Sequence, residues 1–72
     1  MQRWEYLYLT LSQDKIYFAN DEPLGERGFA GPKGIQAYEY LNQLGAEGWE
    51  IVGTISDDTS GAGRIIVKRP SQ

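Results

Sequence analysis

The stretch GERGFAGPKG, Gly25 to Gly34, sets glycine at every third position with two cations, Arg27 and Lys33, among them. Backbone N–H groups free of side-chain hindrance, a helix N-terminus behind them and a cation in reach are the parts of an anion cradle. A cation beside a helix N-terminus is mildly unfavourable by itself, and a bound anion reverses that sign. Arg27, Lys33 and Gly34 are therefore candidate ligands for a phosphate or similar group. The stretch matches neither the G-x-x-x-x-G-K-S/T phosphate loop nor the dinucleotide G-x-G-x-x-G, so a flexible or self-packed connection is the competing reading.

Aromatic side chains offer a second kind of chemistry, since stacking a flat ring on such a residue is worth about 1–3 kcal/mol. Phe29 lies inside the glycine stretch and Tyr40 falls off the apolar stripe of the following segment, so both join the ligand-binding candidates. Tyr38 and Trp49 read as core. Trp4, Tyr6 and Tyr8, with Leu7 and Leu9 between them, read as a strand with two apolar faces and as candidate interface residues.

Other chemistries lack their parts. The chain has neither cysteine nor histidine, which removes disulfides, thiolate metal sites and the commonest general base. Glu47 and Glu50 resemble a carboxylate pair but have no nucleophile partner and read as ordinary glutamates beside a helix end. SDDTSGAG lacks the spacing and distal glutamate of a calcium loop and reads as a hairpin turn. No catalytic residue, metal site or cofactor is expected, and the protein reads as a non-enzyme.

The net charge of −3 argues against a nucleic-acid polymer as partner, because backbone binding needs a concentrated basic stripe. Arg64, Lys68 and Arg69, the only local basic excess, read as a solvated edge. No apolar run approaches a membrane span and the start does not read as a secretory signal, so a soluble, cytoplasmic protein is expected.

The elements that carry these residues follow from periodicity. RWEYLYLTL alternates as a strand, and KIYFAN reads as a second strand pairing back on it. Residues 20–34 show no periodicity and read as a long loop. Helical spacing begins near Ile35, with Ala37, Tyr38, Leu41, Leu44 and Gly45 along one stripe and an end near Ala46, where Gly48 serves as left-handed cap. GWEIVGTI and RIIVKRP read as a closing antiparallel hairpin, with Ile51 and Ile55 on one face, Val52 on the other, and the last strand stopped by Pro70. The expected architecture is a single α+β domain over residues 1–72, a β-β-α-β-β chain in which one helix covers one face of a three- to four-stranded antiparallel sheet. The other face stays apolar and uncovered, which points to a partner.

WEYLYL (residues 4–9), LNQLGAEGWEIVG (41–53) and IIVKRP (65–70) together resemble the domain-of-unknown-function family 4177, small prokaryotic and viral domains. That family is marked by an N-terminal W/Y-E-Y strand, L-N-x-L-G-A-E-G-W-E after a helix and a terminal K-R strand. The resemblance covers a little under half of the chain and implies the strand–helix–hairpin fold without an established reaction. The loop at 20–34 looks longer and richer in glycine than the family's usual connection.

Two functions fit these residues. One is a self-associating, non-catalytic protein that binds a small anionic, nucleotide-type metabolite in a sponge-like manner, in a pocket furnished by the loop and an aromatic at a homo-oligomer interface. The other is a protein–protein interaction or scaffold module that uses the open apolar sheet face.

Overall fold

Strict alternation in RWEYLYLTLS yields β1, Arg3–Ser12, at the middle of the sheet. The computed structural model describes residues 1–29, 31–56 and 62–71. Gln13, at a φ of 56°, opens a two-residue turn into β2, Lys15–Ala19, which pairs antiparallel with the second half of β1. A bulge between Thr10 and Leu11 leaves Tyr17 without an opposite residue on β1.

The segment expected to lack structure, 20–34, instead holds two short strand pairings, and a third follows at Ile35–Gln36, where helical spacing was expected to begin; the helix starts at Ala37. β3, Glu22–Pro23, lies against Phe18 and Ala19 of β2. β4, Arg27–Gly28, and β5, Gly31–Pro32, pair with each other as a separate two-stranded ribbon. β6, Ile35–Gln36, then returns to β2 opposite Lys15 and Ile16. The loop is therefore an arm built on a small ribbon of its own. Its neck is pinched where Gly34 N–H donates to the Leu24 carbonyl at 3.1 Å and Leu24 N–H to the Tyr17 carbonyl at 2.8 Å. A side chain at Gly25 would run into the Gly34 backbone, and Gly25 also has a φ of +78°. Both constraints select glycine there.

Helix α1, Ala37–Ala46, begins without a side-chain cap; its first N–H donates to the Asp14 carbonyl at 2.8 Å. The Gln36 side-chain amide donates to the Asp14 carboxylate at 3.0 Å, which ties the helix start to the β1–β2 turn. At the other end Gly48, at a φ of +94°, donates to the Gly45 carbonyl and Trp49 N–H donates to the Leu44 carbonyl. This is the Schellman pair that a glycine in the left-handed conformation makes, as the sequence predicts.

β7, Glu50–Ser56, and β8, Ala62–Ser71, complete an antiparallel sheet of order β3-β2-β1-β8-β7, with β6 beside β2. The class is the expected α+β with one helix on one face. The sheet exceeds the expected strand number because β3 and β6 extend the β2 edge. The middle of the SDDTSGAG turn, 57–61, lies outside the described residues.

β8 does not stop at Pro70 but runs to Ser71 beside β1. The last pair between β7 and β8 is Glu50 with Lys68, so Pro70 sits where β8 has become an edge, a position that tolerates proline. A bulge between Ile51 and Gly53 also places Ile51 opposite Val67 and Ile55 opposite Arg64. Ile51 and Ile55 therefore lie on opposite faces and not on one.

The core is small. Leu9, Ile16, Leu44, Ile65 and Val67 are buried, with Leu7, Leu11, Leu24, Ala37, Tyr40, Leu41 and Trp49 packed around them. The helix thus faces the sheet through Ala37, Tyr40, Leu41 and Leu44, a spacing of three, four and seven. Tyr38, expected in the stripe, is 64% exposed, while Tyr40, expected outside it, turns inward. Among the described residues no helix is long and apolar enough to cross a membrane.

Candidate functional site

The helix covers the sheet face that carries Leu7, Leu9 and Leu11. Residues paired across an antiparallel ladder share a face, so the opposite face follows from the register. Trp4, Tyr6, Tyr8 and Thr10 of β1 lie beside Pro70, Lys68, Ile66 and Arg64 of β8. Glu50 and Ile55 of β7 extend this face opposite Lys68 and Arg64. Phe18 extends it on the other side, opposite Thr10, and Pro23 pairs with Phe18. The face is open: Tyr6 is 56% and Ile55 58% exposed, and Trp4 and Tyr8 are exposed as well.

Its cations are set among these rings. The Lys68 ammonium stands 4.1 Å from the centroid of the Trp4 ring and 3.8 Å from the Glu50 carboxylate. Arg64 and Tyr8 line a hollow of about 310 Å³ with Ile55, Ser56, Ala62 and Gly63. A surface that joins aromatic rings to a guanidinium can stack a flat ring and hold its negative charge.

A second, apolar cleft of about 230 Å³ lies between the arm and β2–β3, lined by Phe18, Pro23, Gly25, Arg27, Gly31 and Pro32. Arg27 is the charged residue of that lining. Phe29, at the far end of the arm, is fully exposed.

The sequence-derived ligand set does not meet at one place. Arg27 borders the cleft and Phe29 projects from the arm. The Lys33 stem lies along Gly28 on the arm. Gly34 sits in the neck, where an added Cβ would meet the Tyr17 ring at 3.0 Å. Tyr40 packs against the core; burial, then the carboxylates of Glu47 and Glu22, raise its hydroxyl pKa above the ordinary value of 10.0. The N–H groups needed for a cradle are already engaged: Lys33 donates to the Glu26 carbonyl, Gly34 to Leu24 and Ala37 to Asp14.

Of the interface set, Trp4, Tyr6 and Tyr8 point outward. Leu9 is 0% exposed and Leu7 partly buried, both against the core. Leu9 therefore has no surface to offer a partner; alternation along β1 separates the leucines from the aromatics, and the helix chose the leucine face. Lys68 and Arg69 are not a merely solvated edge, because each lies over a tryptophan. The alternation of RIIVKR, which puts Arg64, Ile66 and Lys68 on one face, is the signal that identifies Arg64 and Lys68 as part of this surface. Among the described residues no cluster of acidic side chains could hold a metal ion.

No family model, no curated protein and no solved structure compared with the chain matches it.

Proposed function

We propose that the protein is a non-catalytic binding module that self-associates through its open aromatic sheet face. The observation that carries this reading is the amount of surface left to water. A folded monomer of 8.1 kDa is expected to expose about 4,500 Å², whereas this chain exposes 5312 Å². The excess, about 800 Å², equals the area that one partner contributes to a standard protein interface. Trp4, Tyr6, Tyr8 and Ile55 supply exposed apolar area on a single face, as a docking surface requires.

Light scattering across the micromolar range tests the reading. A dimer or higher oligomer that Tyr6→Ser and Ile55→Ser shift toward monomer, without loss of circular dichroism, is the expected result. A monomer at every concentration overturns it.

The hollow beside Tyr8 favours a second use of the same face. A flat anionic molecule of nucleotide type would stack on the Tyr8 ring and present its phosphate to Arg64. Native mass spectrometry with a nucleotide panel checks this; binding that survives both Tyr8→Ala and Arg64→Gln removes the hollow from the site.

A further inference from the structure

The arm formed by β4 and β5 carries a mismatched pair of features. Phe29 stands at its turn fully exposed, while an apolar cleft lies open between the arm and β2–β3, lined by Phe18, Pro23, Gly31 and Pro32. Phe29 does not occupy the cleft of its own chain, although the cleft lining runs to Gly31, two residues away. The ribbon pairing Arg27 with Pro32 and Gly28 with Gly31 fixes the turn that carries Phe29, with the ring turned to solvent.

From these features we infer that the arms of two copies exchange tips, each placing Phe29 in the partner's cleft. The inference rests on the self-association reading above and names a contact within it. The ribbon that carries the knob also forms one wall of the socket, so two copies related by a two-fold axis satisfy both clefts at once, which is the requirement of an isologous interface. The cleft also suits the ring chemically. Phe18 offers an aromatic neighbour, the prolines offer apolar walls, and Arg27 at the border can lie over the face of an incoming ring.

Position also favours a second copy as occupant. Phe18 shares the face of Thr10, and hence of Trp4, Tyr6 and Tyr8, so the cleft continues the open surface. The surface excess of about 800 Å² matches one side of a dimer. The neck ties the arm to the sheet: Gly34 and Lys33 N–H donate across it to the Leu24 and Glu26 carbonyls, and Leu24 N–H donates to the Tyr17 carbonyl of β2.

The test replaces Phe29 with the photoreactive p-benzoylphenylalanine and irradiates a mixture of isotopically light and heavy full-length chains. Light-to-heavy crosslinks that map to Phe18, Pro23 or Pro32 are the expected result, together with at least a tenfold weaker association for Phe29→Ser and wild-type association for Phe29→Tyr. An oligomer that Phe29→Ser leaves intact, with crosslinks elsewhere or none, overturns the exchange of arms and leaves the open-face reading standing. A chain that stays monomeric throughout overturns both.

Discussion

The guanidinium carbon of Arg69 stands 4.4 Å from the centroid of the Trp49 ring. Its Nε pairs with the Glu5 carboxylate and one Nη donates to the Glu47 carbonyl at 3.2 Å. One side chain on β8 thereby joins β1, the end of the helix and the first residue after its cap. It links the end of the covering helix to the sheet by charge, as the Asp14 carboxylate does at the helix start.

Arg69→Ala should therefore lower stability by about 1–2 kcal/mol, summing a partly exposed cation–π contact and an ion pair. Arg69→Lys should recover only part, because an ammonium cannot lie flat on the indole while reaching both oxygens. Urea midpoints at one fixed protein concentration measure both, and equal midpoints for the alanine and wild-type chains would dismiss the link.

Leu44→Ala should be far more costly, about 2–5 kcal/mol. Leu44 is the one helix residue among the five buried ones, and so small a core has little to redistribute. Loss of cooperative thermal unfolding is the outcome to look for; a Leu44→Ala chain that melts near the wild-type temperature would show that the helix contributes little.

Gly25→Ala should loosen the arm before it unfolds the sheet. The new methyl meets the Gly34 backbone, at a backbone angle that L-residues rarely adopt. Amide exchange is the direct readout: protection at Lys33 and Gly34 should fall while that at Leu9 and Val67 persists. Protection lost everywhere together would make the neck part of the core.

Tyr40 sets an alkaline limit. Its hydroxyl pKa is raised in the fold, first by burial and then by Glu47 and Glu22, so above about 10 the unfolded chain releases this proton first. The contribution of the neutral hydroxyl is thus present below that pH and lost as pH rises toward the folded value. Tyr40→Phe should lose less stability than wild type across that range, as read from denaturation midpoints; parallel losses would assign the effect to other groups.

The helix end and β1 were legible because each is specified locally: Gly48 by the left-handed conformation it permits, β1 by its own alternation. Tyr38 and Tyr40 exchanged places because the choice between 37-38-41-44 and 37-40-41-44 depends on where the sheet lies relative to the helix. Ile51 and Ile55 separated because a bulge inserts one residue, and alternation in sequence carries no mark of that. The arm was hidden for a related reason. Strands of two residues are too short for a period, and the pairing of Arg27 with Pro32 is stabilised by the neck and not by any apolar pattern. The candidate surface was half visible: its three β1 aromatics stood out, whereas Arg64 and Lys68 gained meaning only once β8 lay beside β1.

That neighbourhood reaches beyond the surface it creates. β1 and β8 pair through ten consecutive positions, from Arg3 with Ser71 to Ser12 with Ala62, so the middle of the sheet joins two strands far apart in sequence. During synthesis β1 and β2 emerge with one side of β1 unpartnered, and the helix arrives with only part of the surface it packs against. The domain should therefore gain its cooperative fold only once β8 has joined β1, in one step.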